Sequence, residues 1–263
     1  MPPARALITR SSLIAVLAAS PASVPLASER VEASYALHWG GFEVARFDVS
    51  LTADPTDYRI AYAARTTGLV GTLFPFTSAG ASEGRMADPG PVPERYAGAS
   101  ERRAGRSAWT VIFEPDGGIA HLEITTPEDE EREPVPANLR KAPDPLSLAL
   151  RATRAAAPGA RVRDTTFDGK RAVIFELACA PAEDPLRPEA TLAGLAIDRL
   201  LSCTLDGELA GGQSRRFGSG RDTERRPAEV LLSSEIVPGR YWPVRVEAET
   251  RFGAVVAELT ALR

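Results

Sequence analysis

Lysine and histidine are scarce in this 263-residue chain. Lys141 and Lys170 are its lysines, His38 and His121 are its histidines, and the formal net charge is -4. Nucleic-acid binding usually depends on clustered Lys and Arg, so this charge balance argues against a nucleic-acid partner. Metal sites need clustered His, Cys or carboxylates. Neither histidine has another His or Cys nearby, and alternation turns both toward polar faces, so we predict no metal site and no cofactor.

Catalytic motifs are also lacking. The segment closest to a nucleophile elbow is Gly212-Gln213-Ser214-Arg215-Arg216, which lacks the second glycine of that motif. No glycine-rich phosphate loop stands between a strand and a helix. We therefore assign no catalytic residue. Of the three functional hypotheses that this sequence allows, a binding module, an assembly partner and an enzyme acting on envelope polymers, the enzyme has the weakest support.

No apolar run reaches the roughly 20 residues that a transmembrane helix needs. The N-terminal run over residues 11–20 follows Arg5 and Arg10 and precedes the small residues 21–23. A positively charged N-terminal region, a short apolar stretch and small residues at the cleavage site are typical of a secretory signal peptide. An uncleaved anchor or a disordered tail is the alternative interpretation.

These features predict the domain organisation. We expect a signal peptide over residues 1–22 with cleavage after Ala22, or alternatively after Ser28. A linker over residues 23–30 and a single β domain over residues 31–263 follow. The mature protein is expected in the periplasm and does not span the membrane.

Cysteine is limited to Cys179 and Cys203. An even count in an exported protein permits a disulfide. A bridge closing a loop of about 25 residues stabilises a fold by about 3–4 kcal/mol in the chain-entropy model. Two buried, reduced thiols are the alternative, and the lack of a C-x-x-C motif argues against a redox-active pair.

What the sequence does contain is period-two alternation of apolar residues, which predicts strands. Short links between them favour antiparallel pairing. The predicted fold is all-β and mainly antiparallel, an open or partly closed curved barrel or sheet of about ten strands. Predicted strands lie around residues 35–39, 45–51, 58–62, 96–102, 107–114, 118–125, 172–179, 197–205, 230–236, 244–251 and 255–262, with Phe252-Gly253 at the last hairpin.

One segment has helical spacing instead. Asp144 can cap a helix, Pro145 suits its first turn, and Leu146, Ala149 and Leu150 recur on one face before a stop at Pro158-Gly159. We predict one amphipathic helix that covers an opening or a face of the sheet.

Three segments are predicted to be surface loops, 127–136, 181–188 and 208–227. The last holds five arginines, which suit either an anionic polymer or lipid headgroup or, more simply, a solvated loop.

The segment 66–76 packs large apolar residues beside two glycines. One interpretation is an apolar lip beside a cavity that contacts a hydrophobic ligand. The other is a helical turn or strand corner that plugs the core. The candidate ligand-binding residues are Leu69, Val70, Leu73, Phe74 and Phe76.

Several motifs run in order through nearly all of the chain after the signal peptide. They are Tyr35 with Gly40-Gly41, residues 67–74, 91–96, 134–136, 144–146, 167–169, Cys203, 243–245 and 250–253. Together they resemble an exported family of Gram-negative bacteria called domain of unknown function 3108. The resemblance implies a periplasmic all-β protein of unassigned activity, shaped like envelope lipid carriers. In that family a Cys precedes Phe-Asp-Gly, whereas this chain has Arg161 to Asp164 there and carries Cys179 after it.

The leading functional hypothesis is a periplasmic binding or carrier module for an apolar or lipid-like ligand held against the concave face of the sheet. A structural or assembly role with an envelope protein partner is the alternative.

Overall fold

The computed structural model describes residues 28–88, 90–127, 132–182, 199–215, 227–250 and 253–263. Within these ranges it contains one thirteen-stranded antiparallel sheet, two α-helices and a 3₁₀ turn at Ala137–Leu139. The strands are β1 Glu29–Trp39, β2 Phe42–Ala53, β3 Asp57–Thr66, β4 Phe76–Met86, β5 Pro91–Arg102, β6 Gly105–Phe113, β7 Ile119–Thr125, β8 Arg161–Phe167, β9 Ala172–Pro181, β10 Leu200–Gly211, β11 Ala228–Val237, β12 Arg240–Thr250 and β13 Gly253–Leu262; the helices are α1 Gly68–Leu73 and α2 Pro145–Ala155. The predicted signal peptide lies outside the described residues.

The sheet consists of two meanders joined through the first and last strands. Its order is β7-β6-β5-β4-β3-β2-β1-β13-β12-β11-β10-β9-β8. β1 pairs with β13, for example Tyr35 opposite Leu259. β7 and β8 are the two edges, so the sheet does not close into a barrel. The predicted antiparallel β fold is confirmed, with more strands than expected.

The segment that follows β7 nevertheless approaches the segment that follows β10. The amide of Glu133 donates to the carbonyl of Gln213 at 2.8 Å, and Arg132 forms an isolated bridge with Ser214. A Cβ placed on Gly169, between β8 and β9, would meet methyl groups of β6 and β7 at 3.5–3.7 Å. The curled sheet therefore encloses an interior although its edge strands do not pair.

Helix α2 lies on the concave face and fills one end of that interior. Asp144 caps it, accepting from the amides of Leu146 at 2.9 Å and Ser147 at 3.1 Å. Leu150 is buried in the main core, and Ala156, just after the helix, packs in a second core. The predicted cap and covering helix are confirmed. None of the helices in the described ranges has the length and apolarity of a membrane span.

Two strands were not predicted, β4 and β8. The sequence of β4, FTSAGASEGRM, is rich in Ala, Gly and Ser, which have low β propensity, and that of β8, RVRDTTF, is highly charged. Both are strands because β4 pairs with β3 and β5, and β8 pairs with β9, along their lengths. Tertiary pairing overrides local propensity here.

Two predicted boundaries require correction. β10 extends to Gly211, into the predicted loop 208–227, because Glu208 and Leu209 pair with Ile174 and Val173 of β9. β1 begins at Glu29, inside the predicted linker, because Glu29 pairs with Ala53. Within the three predicted loops, residues 128–131, 183–188 and 216–226 lie outside the described residues, and so do four of the five arginines; Phe252 is also outside them.

The predicted disulfide is confirmed. Cys179 and Cys203 face each other on β9 and β10 and are bonded, with their Cα atoms 4.0 Å apart. Both are buried in a cluster with Leu177, Leu201 and Val230. The bridge therefore joins two neighbouring strands inside a packed core.

Candidate functional site

A cavity of about 400 Å³ that is open to solvent on one side lies on the concave face, at the end of the sheet opposite that filled by α2. This volume is within the range of small-molecule sites, about 300–1,000 Å³. Strands β3 to β6 form one side, and the segments after β7 and between β8 and β9 form the other. The lining residues are Tyr62, Phe76, Ser78, Tyr96, Ser100, Arg102, Ser107, Trp109, Arg132, Asp168, Lys170 and Arg171.

Glycines beneath aromatic rings shape the floor of this cavity. In the strand register Tyr62 lies opposite Gly80, Gly80 opposite Gly98, and Gly98 opposite Trp109. A Cβ on Gly80 would lie 2.9 Å from Cε1 of Tyr62, and one on Gly98 would lie 2.4 Å from Cζ2 of Trp109. Glycine inside a strand often marks such a close approach. The rings of Tyr62 and Trp109 therefore lie against these glycines, and the space in front of the rings stays open.

The next row toward the mouth consists of serines. Ser78 lies opposite Ser100, and Ser100 opposite Ser107. Side chains this small leave the concave face unfilled and present hydroxyl groups to the cavity. The hydroxyls of Tyr62 and Ser78 are hydrogen bonded at 3.0 Å.

The tyrosines of the cavity remain protonated at neutral pH. Burial raises the pKa of Tyr62 and, more strongly, that of Tyr96, and the Asp168 carboxylate raises both further. Each phenol therefore remains a hydrogen-bond donor.

Charged side chains surround the mouth. Arg102, Arg132, Lys170 and Arg171 contribute four cations, and Asp168 is the one carboxylate among the lining residues. Nη2 of Arg171 lies 2.7 Å from Oδ2 of Asp168. Arg132 donates to the carbonyl of Gly212 at 2.8 Å, which connects the mouth to the segment after β10. Among the residues that the structure describes, the cavity thus has an aromatic and hydroxyl floor and more cations than carboxylates at its entrance.

Of the five predicted ligand-binding residues, Phe76 lines the cavity, whereas Leu69, Val70, Leu73 and Phe74 do not. Helix α1 contains no buried residue, and Leu69 and Phe74 are 75% and 71% exposed. The interpretation of this segment as a core plug is therefore wrong, because the core lies elsewhere. Residues Gly68–Leu73 do form a helical turn, but an exposed one next to Phe76 of the cavity lining, and its role as a lip that contacts a ligand stays a prediction.

The sequence reasoning missed Tyr62, Tyr96 and Trp109 as site residues. The available signal was the set of small residues that alternation places on the same face, Ser78, Gly80, Gly98, Ser100 and Ser107. A strand face built of Gly and Ser cannot fill the space in front of it.

A second polar cluster lies around Asp144 and is inaccessible. The carboxylate of Asp144 accepts hydrogen bonds from Ser82 at 2.8 Å and from the Ser147 hydroxyl, and Tyr58 is 2.7 Å from Ser147. Asp144, Ser82 and Ser147 have no exposed surface. Burial raises the pKa of Asp144 above its usual value, although the hydrogen bonds oppose that shift. The cluster anchors α2, and no substrate can reach it.

The histidines lie outside the cavity. His38 lines a groove with Arg245 and Glu258, and His121 is exposed on β7. Among the residues the structure describes, no group of three or more His, Cys, Asp or Glu side chains could hold a metal ion.

Comparison with known proteins gives a family and a distant structural neighbour. A family model described as "Protein of unknown function (DUF3108)" matches residues 34–186, more than half of the chain. Among solved structures, the chain is similar to a β-barrel-like protein of domain of unknown function DUF1849 from Brucella abortus, at 8% identity and a TM-score of 0.47. That match covers 91% of this chain and 98% of the other. No curated protein matches the sequence.

Proposed function

The chain belongs to the DUF3108 family of proteins of unknown function, and we propose that it is an exported binding module that holds a small amphipathic molecule in its interior cavity. The observation that carries this proposal is the hollow of about 400 Å³ on the concave face, lined by aromatic rings and hydroxyl groups.

The aromatic floor suits the apolar part of a ligand. Four rings contribute to the lining, those of Tyr62, Phe76, Tyr96 and Trp109, and the ring centroids of Tyr96 and Trp109 lie 6.0 Å apart. Pockets for small molecules are mostly apolar. In this cavity eight of the twelve lining residues are serine or charged, so the aromatic rings form its smaller, apolar part. The floor therefore favours an acyl chain or an aromatic group.

The mouth suits a polar headgroup. Ser100 offers a hydroxyl just below it. Among the described lining residues four side chains are cationic, and Asp168, which pairs with Arg171, is the one carboxylate. An acidic headgroup is attracted to such an entrance, and hydrogen bonds to ionised groups are stronger than neutral ones. We infer that a ligand enters with its apolar part first and leaves its acidic group at the mouth.

A fluorescent fatty acid tests this proposal. Dansyl-labelled undecanoic acid is titrated into the purified protein, with its methyl ester as the neutral comparison. We expect the acid to bind more tightly than the ester. The variant Ser100→Phe fills the hollow and is expected to weaken binding at least about tenfold, which corresponds to about 1.4 kcal/mol.

The matched control is Ala99→Phe, which adds the same ring to the opposite, convex face of β5. It is expected to leave the affinity unchanged within about twofold, a change of about 0.4 kcal/mol. Equal losses in both variants, or no binding by the parent protein, would contradict the proposal. Native mass spectrometry of protein isolated without detergent gives an independent test, since a bound small molecule adds a defined mass.

Export through residues 1–22 is part of the same proposal and rests on the sequence pattern. Cell fractionation with N-terminal sequencing tests it. We expect a periplasmic protein that begins at Ser23. A protein retained in the cytoplasm with its first residues intact would refute export and leave the binding proposal untouched.

A further inference from the structure

Exposed apolar side chains are concentrated at the end of the molecule where the cavity opens. Of the eight large apolar residues that are exposed in the described ranges, six lie there. We call these six the apolar rim: Trp39, Phe42, Leu69, Leu73, Phe74 and Phe76. The remaining two, Leu122 and Leu262, lie on β7 and at the end of β13.

The apolar rim is formed by two neighbouring chain segments. Trp39 and Phe42 are paired across the β1–β2 hairpin. Helix α1 contacts β2 beside that hairpin, where the amide of Thr67 donates to the carbonyl of Val44 at 2.9 Å. Phe42 and Phe74 are 77% and 71% exposed, so their rings project from the surface. Contiguous exposed apolar patches commonly mark sites of interaction with a protein or a membrane.

We propose that the apolar rim inserts into the interfacial layer of a lipid bilayer, so that the mouth of the cavity faces the lipid. The exposure of the rim supports lipid as the occupant, because its six side chains are 40–77% exposed on the β1–β2 hairpin and the α1 segment. Aromatic and Leu side chains are typical of segments that lie in a membrane interface.

The hydrogen bonding of the α1 segment supports the same occupant. Polar backbone groups that leave water are costly unless they are bonded within the protein. The amide of Gly71 donates to Thr67 at 2.8 Å and that of Phe74 to Val70 at 2.7 Å. The hydroxyl of Thr66 accepts from the amide of Phe76 at 3.0 Å and donates to the carbonyl of Phe74 at 3.1 Å. Much of the polar backbone of this segment is therefore satisfied within the protein.

The apolar rim and the cavity share Phe76, so a molecule leaving the lipid meets the cavity wall at once. This link rests on the proposed binding function, whereas insertion of the rim does not. The two ideas can therefore fail separately.

Vesicle flotation with the full mature protein tests the inference. With phosphatidylcholine vesicles we expect co-flotation that persists in 0.5 M salt at about the same level, because apolar insertion is not screened as charge attraction is. The double variant Phe42→Ser, Phe74→Ser is expected to reduce partitioning at least about tenfold, since both side chains lose their apolar contact. Leu262→Ser, at the other end of the molecule, is the matched control and should bind as the parent does.

Quenching by brominated lipids locates the inserted face. Trp39 lies in the rim, whereas Trp109 and Trp242 lie inside the protein. We expect strong quenching in the parent protein and its loss in Trp39→Phe. Absence of flotation would overturn the inference, as would rim variants that alter self-association in size-exclusion chromatography without altering flotation. Flotation of the Ser100→Phe variant is expected to be normal, which separates a failure of the cavity proposal from a failure of this one.

Discussion

The two meanders of the sheet present different concave faces. On β9 to β11 the inward residues are branched or sulfur-containing, among them Leu177, Leu201 and Val230, and they form a buried cluster around the disulfide. On β4 and β5 the inward residues include Gly80, Gly98, Ser78 and Ser100, and a cavity lies in front of them. Both faces alternate with period two. The difference shows that the size of the inward side chains, and not the pleat, determines where a curved sheet is hollow.

The packed meander is expected to show the largest stability effect. Replacing both Cys179 and Cys203 by Ala removes a cross-link that spans 24 positions of the chain. We expect the free energy of unfolding to fall by about 3–4 kcal/mol, because the unfolded chain gains freedom. Chemical denaturation of the double variant measures this change. A loss below about 1 kcal/mol would mean that the surrounding core holds the strands without the bridge.

The hollow meander is tightly packed at one point, and Gly98→Ala tests it. A Cβ on Gly98 would lie 2.6 Å from the carbonyl oxygen of Ala79 as well as against Trp109. We expect a loss of about 2–3 kcal/mol, since the backbone cannot yield as a flexible side chain does. Thermal denaturation gives the measurement. A neutral result would show that the ring of Trp109 does not lie over the glycine.

A pair of matched substitutions compares the two meanders directly. Ala172→Leu adds carbon atoms at a fully buried position beside Phe167 and is expected to cost about 1–3 kcal/mol. Ser100→Leu adds a similar volume inside the cavity and is expected to change stability by less than about 1 kcal/mol. Denaturation curves of both variants measure the contrast. Equal costs would refute the difference in packing.

A further pair of substitutions concerns Asp144, which caps α2 between the two meanders. Asp144→Ala is expected to lower the free energy of unfolding by about 1–2 kcal/mol through loss of the cap. Because burial raises the pKa of Asp144, this carboxyl favours the fold below its unfolded pKa and loses that contribution as the pH rises through its folded pKa.

Asp144→Asn removes this titration and keeps an acceptor for the helix amides. Its stability relative to the parent is therefore expected to improve as the pH rises above the ordinary carboxyl pKa of about 4. Denaturation across this range checks the trend. A relative stability that falls with pH would mean that the hydrogen bonds, and not burial, dominate the pKa of Asp144.

Much of the fold was predictable because its signals are local. The β1–β2 hairpin is marked by Gly40-Gly41, and α2 is marked by Asp144-Pro145 at its start. Strand β4 was missed because Ala, Gly and Ser carry no strand signal of their own, and its pairing partners determine its conformation. The disulfide was one of two open alternatives, since spacing does not show which strands are neighbours.

The site was predictable only in part. Residues 69–76 attracted attention as an apolar segment, and they do lie at the cavity end, but Phe76 alone of the predicted set lines the hollow. Tyr62, Tyr96 and Trp109 read as ordinary strand residues. Their role depends on the glycines opposite Tyr62 and Trp109, which only strand register brings together.

The sequence by itself determined the antiparallel β class, the capped helix and the possibility of one disulfide, because alternation, capping and cysteine count act over a few residues or over composition. Only the tertiary structure decided that β1 joins β13, that Cys179 meets Cys203, and that a hollow remains beside Trp109. Register and curvature cause this difference, since they bring together side chains that are distant along the chain and leave space where all of them are small.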